Sequence, residues 1–175
     1  MKISYNDVSI RYAGPKDAEL LAKWWNDGSV MAHAGFPYGL GTTAEKVAES
    51  LKDDSDTTRR RLILEYENTP IGEMSYRNKG ENTAEIGIKI CEQQYQNRGI
   101  GKIALSLFIT MLFDKGYETI ILDTNLNNKR AQHVYETLGF IKTGVSYDSW
   151  RDQTGALQSA VDYKLTKPDF ISFIK

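Results

Sequence analysis

The stretch from Ala84 to Phe113 constrains this chain most. An alternating run, Ala84 to Ile90, leads through Gln96-Asn97-Arg98-Gly99-Ile100-Gly101 into a long apolar run from Ile100 to Phe113. In the first run Ala84, Ile86, Ile88 and Ile90 point one way and Glu85, Gly87 and Lys89 the other, as in a strand. In the second, Ile100, Ile103, Ala104, Leu107, Phe108, Met111 and Leu112 make a helical stripe. Leu105, Ile109 and Phe113 widen it, which predicts a helix covered on more than one side. Two glycines at a strand-to-helix turn let backbone approach a ligand closely. Free N–H groups then sit at the mouth of a helix, where the dipole favours negative charge. The segment reads as a pyrophosphate cradle.

Other phosphate loops fit less well. A P-loop needs Lys-Ser/Thr directly after the second glycine, whereas Lys102-Ile103 follows Gly101. Gly99-Ile100-Gly101-Lys102-Ile103-Ala104 formally fits the dinucleotide fingerprint Gly-x-Gly-x-x-Gly/Ala. There the first glycine comes straight off a strand, but here the eight residues Cys91 to Arg98 intervene. A kinase Gly-rich loop needs a longer chain and a catalytic-loop motif that is absent. A glycine turn without a ligand stays open on the hexapeptide alone.

A second segment follows. Ala131, Val134, Tyr135 and Leu138 share one helical face, with Asn127 as the expected N-cap and Gly139 as the C-terminal stop. On spacing alone Tyr135 is a core aromatic and Asn127 a cap. Taken together, Gln-x-x-Gly-x-Gly at Gln96 to Gly101 and Asn-x-x-x-Ala-x-x-x-Tyr-Glu-x-Leu-Gly-Phe at Asn127 to Phe140 resemble the GNAT N-acetyltransferase superfamily. The arrangement is similar to its ribosomal-protein N-terminal acetyltransferase branch, with polyamine and aminoglycoside acetyltransferases as near relatives. The resemblance covers residues 60–166 and is loose over the first 55.

That resemblance implies an α/β (α+β) fold. It is a mixed, mostly antiparallel twisted sheet of about seven strands flanked by about four helices. Strands four and five splay apart to admit the pantetheine arm. The local patterns fit: strands at 8–13, 59–67, 70–77, 84–90, 119–124, 140–150 and 159–166, and helices from Pro15, from Thr43 to Asp53, after Gly99 and after Asn127. One domain spans 1–175, with a variable acceptor-side region at 1–57, an acyl-CoA-binding core at 58–166 and a tail at 167–175. The tail is apolar-aromatic and suits docking on the body or on another subunit.

The implied reaction moves acetyl from acetyl-CoA to a primary amine: a protein N-terminus, a polyamine, an aminoglycoside or another small amine. An alkyl ammonium has a pKa near ~10.4, so its neutral form lies about 4–5 kcal/mol uphill at neutral pH. A peptide α-amine costs only about 1 kcal/mol. A general base therefore matters more for alkyl amines. Glu85 is the expected base, with a structural pairing to Lys89 or Arg77 as the alternative and Glu73 and Asp148 in reserve. Tyr135 is the expected donor to the leaving thiolate. The cofactor site implied is Ile88, Ile90, Gln96, Asn97, Arg98, Gly99, Ile100, Gly101, Lys102 and Asn127. Ile90 contributes a backbone N–H to the carbonyl oxygen, and Lys129 and Arg130 are either near the 3′-phosphate or solvated. Acceptor candidates are Trp24, Trp25, His33, Phe36, Tyr38, Glu73, Tyr147 and Trp150, the 26–42 segment being too long and aromatic for a plain linker.

The remaining features exclude rather than assign. A net charge of −1 gives no electrostatic reason to expect nucleic acid. The single cysteine, Cys91, forbids an intrachain disulfide and reads as a small buried hydrophobe. No metal-ligand spacing is visible. No run of 18 apolar residues exists and the N-terminus has no apolar leader pattern, so no membrane partner and a cytoplasmic location are expected, as monomer or homodimer. A non-catalytic acyl-CoA-binding module on the same fold is the competing reading; Tyr135 and Glu85 argue for the enzyme, since a pure binder needs neither.

Overall fold

The computed structural model covers residues 1–175. It contains one eight-stranded sheet in the order β1-β2-β3-β4-β5-β6-β8-β7. The strands are β1 (Lys2–Tyr5), β2 (Val8–Tyr12), β3 (Arg59–Tyr66), β4 (Thr69–Gly80), β5 (Thr83–Ile90), β6 (Thr119–Asn125), β7 (Ile141–Arg151) and β8 (Leu157–Thr166). The five α-helices are α1 (Ala18–Trp25), α2 (Gly28–Met31), α3 (Ala44–Leu51), α4 (Ile100–Asp114) and α5 (Lys129–Thr137). Only β5 and β6 pair in parallel, joined by the crossover through α4.

Two elements exceed the sequence expectation of seven strands and four helices. β1 is four residues long and half polar, and only its pairing with β2 defines it. α2 is a single turn capped by Asp27, whose carboxylate accepts from the Ser29 N–H. Neither is long enough to show a period. The cap of α5 also moves by one residue: Asn128, not Asn127, accepts from the Ala131 N–H at 3.2 Å.

The sheet separates two cores. On one face Ala84, Ile86, Met74 and Tyr76 pack with the apolar stripe of α4, and Ile88 and Ile90 lie against this cluster. On the other, Ile63 and Cys91 pack with α1 and α3. The wide apolar surface of α4 is explained by the C-terminal tail, which docks on the body. Phe170 meets Phe113 edge-on at 5.8 Å, and the Phe173 N–H donates to Ser106 Oγ at 2.9 Å.

The arginine-rich start of β3 is ion-paired. Arg60 meets Asp56 and Arg61 meets Asp54, each at 2.7 Å. Further along, Arg11 donates to both oxygens of Asp17 at 2.8 and 2.9 Å and to Glu65 at 2.8 Å. Burial pushes the Asp17 and Glu65 carboxyls up, but the hydrogen bonds they accept outweigh it and hold both below their ordinary values. Groups depressed in the fold contribute stability above their unfolded pKa and lose it as pH falls through the folded one. Arg11→Met is therefore expected to cost about 3–5 kcal/mol at neutral pH, because buried Asp17 loses its ion-pair partner and buried Glu65 keeps only Lys2. Denaturant titrations should show the gap to wild type narrowing in acid, once both carboxyls are protonated. A gap independent of pH would mean that Arg11 contributes packing rather than charge.

Candidate functional site

The site begins where β5 and β6 stop pairing. Their register is Thr83 with Thr119, Ala84 with Ile120 and Glu85 with Ile121, and it ends there. Residues 86–90 remain bonded to β4 alone. The Cys91 N–H donates to Ile71 O on the β4 side. Strand alternation therefore turns the backbone groups of Ile88 and Ile90 away from β4 and into the opening. Gln96 Nε2 reaches back to the Ile90 carbonyl at 2.9 Å and ties the loop to the end of the strand.

At the upper end of this gap lies the mouth of α4. The amides of residues 98–102 have no acceptor within the protein, so five successive donors sit at the positive end of a fifteen-residue helix. The two glycines divide the work. Gly99 (φ 76°) and Asn97 (φ 60°) take the left-handed conformation that turns the chain into the helix. Gly101 has ordinary helical backbone, and a Cβ there meets only Ile90 Cδ1, at 3.9 Å. The role of Gly101 is therefore to leave space rather than to turn the chain. Arg98 lies over the rings of Tyr66 and Tyr95 at 5.1 and 5.5 Å, and Lys102 over Phe173 at 5.3 Å, so two cations flank the amides. Asn127, Lys129 and Arg130 are exposed at the start of α5.

Tyr135 lies on α5 against Phe140 and Tyr163, at ring distances of 5.7 and 6.0 Å. The residue is only 7% exposed. Its hydroxyl makes no hydrogen bond to the protein, although every fully buried side-chain N or O has a partner; the oxygen is therefore not fully enclosed. Burial, with a smaller contribution from Asp123 and Tyr163, pushes the phenol up to about 12.

On the opposite face of the sheet, at the vertex of the gap, lies a cavity of about 220 Å³ lined by Arg59, Ser75, Arg77, Glu85, Gly87 and Asp123, among others. Glu85 is the last residue of β5 with a partner on β6. It faces Arg77 in register without forming an ion pair. Asp123 and Asp162, directly opposite one another on β6 and β8, were not anticipated from sequence. Asp123 is exposed at the surface, and partial desolvation, then Glu85, then Asp162 push its carboxyl above its ordinary value. Only the pairing of distant strands brings these residues together.

The expected acceptor residues divide. Glu73 is buried; its Oε1 accepts from Trp25 Nε1 at 2.8 Å and meets Lys89 Nζ at 3.6 Å. Trp24 donates to Glu92 and is likewise structural. Trp150 packs under Gly35, where any Cβ would strike its ring. Gln153 Oε1 accepts from the Tyr38 N–H, and Gln153 Nε2 donates to Gly39 O. The 26–42 segment is thereby pinned to the β7–β8 hairpin. His33, Phe36, Tyr38 and Tyr147 stay exposed on its outer side. Asp148 sits in a bulge with φ 47°, its N–H donating to Ser159 Oγ. Burial pushes the Cys91 thiol up, away from the reactive form. No group of three or more His, Cys, Asp or Glu side chains is arranged to hold a metal ion, and no helix is long and apolar enough to cross a membrane.

Comparisons with known proteins agree with this geometry. A mycothiol acetyltransferase of Cellulomonas flavigena is 35% identical over 66 residues, which are 38% of this chain and 19% of that protein. The chain thus spans about a fifth of that relative's length. A ribosomal L7/L12 alpha-N-protein acetyltransferase solved with coenzyme A superimposes with a TM-score of 0.83 at 15% identity, covering 95% of this chain and 98% of that one. A spermidine N-acetyltransferase of Vibrio cholerae, solved with CoA and spermine, gives 0.81 at 18% identity, covering 94% and 98%. These two establish the fold. A family model described as the acetyltransferase (GNAT) domain matches residues 7–141, most of the chain. The chain belongs to the GNAT acetyltransferase family.

Proposed function

We propose that this protein is an acetyl-CoA-dependent N-acetyltransferase acting on a primary amine by direct transfer. One observation carries the reading: a strand gap with free backbone groups runs from five unpaired helix-mouth amides at one end to two carboxylates at its vertex, with an unpartnered tyrosine hydroxyl on α5. A pyrophosphate suits the amides, and an amide-bearing arm suits the backbone of Ile88 and Ile90. Acetyl-CoA supplies an activated acyl group. The residues supply the rest: Glu85 takes a proton from the ammonium, the Ile90 N–H stabilises charge on the carbonyl oxygen, and the Tyr135 hydroxyl donates a hydrogen bond to the departing sulfur. Overall a C–N bond forms, a C–S bond breaks, and ammonium plus thioester give amide, thiol and one proton. Asp123 joins Glu85 as a negative group at the acceptor end.

Gly101→Val tests the cradle. A branched side chain at the first turn of α4 would occupy the space over the amides next to Ile90. CoA affinity by calorimetry is expected to fall about ten- to a hundredfold, with the fold retained, because charge-assisted hydrogen bonds are lost. Unchanged affinity in a folded variant would remove the cradle from the proposal.

A further inference from the structure

Across the acceptor face of the sheet the charges form a gradient. Arg59 on β3 stands directly opposite Arg77 on β4, and Arg77 directly opposite Glu85 on β5. One row further along, Ser75 stands opposite Gly87, and Asp123 opposite Asp162. The two small residues leave the floor open, so the vertex cavity spans from the arginines to Glu85 and Asp123. A second, shallower concavity of about 570 Å³ adjoins it, lined by Asp53, Thr57, Thr58, Arg59, Arg77, Asn78 and Gly80 with no hydrophobic residue. The two share Arg59 and Arg77.

What distinguishes Arg77, Glu85 and Asp123 is that no ion pair within the fold holds them. Arg11, Arg60 and Arg61 are all held by carboxylates at 2.7–2.8 Å, and Arg59 touches Asp54 at 3.6 Å. Arg77, Glu85 and Asp123 have no ion pair even though Arg77 and Glu85 are cross-strand neighbours. Such a pair, left apart in one cavity, is complementary to a ligand that itself carries both signs. Glu85, the expected base, puts the reacting amine on the carboxylate side. A polycation would place a second positive charge against the arginines.

We propose that the acceptor is a small zwitterion: a primary amine held between Glu85 and Asp123, with an anionic group on the same molecule, carboxylate or phosphate, held by Arg77 with Arg59. The assignment rests on the acetyltransferase reading above. Strand spacing of about 4.8 Å puts Arg77 one strand from Glu85 and two strands, roughly 10 Å, from Ile121 at the backbone, with Asp123 two residues further along β6. The side chains of Arg77, Glu85 and Asp123 all line the one cavity of about 220 Å³, which suits a small acceptor.

The test is CoA-thiol release from acetyl-CoA with four probe amines: γ-aminobutyrate, 2-aminoethyl phosphate, n-butylamine and spermidine. Either or both zwitterions are expected to exceed n-butylamine in kcat/KM by about tenfold or more, mainly through KM. Comparing the first two identifies the anion. In Arg77→Ala the ratio of the preferred zwitterion to n-butylamine should fall about ten- to a hundredfold; Arg77→Lys should restore part of it, and Arg77→Glu should turn preference toward spermidine. If n-butylamine or spermidine is the better substrate of the wild type, or if Arg77→Ala leaves the ratio unchanged, the zwitterion is wrong while the acetyltransferase reading stands. If the protein binds CoA but no amine releases thiol, both fall.

Discussion

Tyr135→Phe is expected to keep CoA affinity and stability while lowering turnover by about 10²–10³, the usual loss of one donor aimed at developing charge. The ring's contacts with Phe140 and Tyr163 survive the change. The hydroxyl has no protein partner, so its removal orphans nothing. With the phenol pushed up to about 12, outright proton transfer to a thiolate of pKa near ~8.5 is uphill. The hydroxyl therefore works as a hydrogen-bond donor, and the proton reaches sulfur from solvent. Because it stays protonated well above neutrality, the ratio of wild-type to variant rates should be constant between about pH 6 and 9. Thiol-release kinetics, calorimetry with CoA and a thermal melt measure the three quantities. Wild-type turnover across that range would reduce Tyr135 to a core ring.

Glu85→Gln is expected to lower kcat/KM by about 10² at pH 7 and much less at pH 9.5, where solvent supplies more free amine. The carboxylate stands at the vertex of the strand gap with no partner in the fold, in the cavity it shares with Asp123. A peptide α-amine, already partly neutral at pH 7, would give a smaller and flatter loss. pH–rate profiles of both enzymes on the best amine decide the matter. Equal losses at every pH would make Glu85 a positioning residue and move the base to Asp123. Asp123 fits that role better than the reserves from sequence: Glu73 is tied to Trp25 and Lys89, and Asp148 is exposed on a bulge.

Local rules account for what was legible in the sequence. The two-residue period of Ala84 to Ile90, the helical stripe from Ile100 and the glycine-bearing turn between them each depend on neighbours within a few residues, so the strand–turn–helix and the Tyr135 helix were readable directly. Long-range pairing decided the rest. β1 is a strand only because Ile3 lies opposite Ile10, and the apolar excess of α4 is explained only by a tail that returns to cover it. The gap exists because β5 and β6 keep three registered pairs and then part, which no local pattern encodes. The acceptor face is the extreme case. Arg59, Arg77, Glu85, Asp123 and Asp162 come from five strands and carry no spacing signal. Only sheet register makes neighbours of them, while leaving Arg77, Glu85 and Asp123 free of one another.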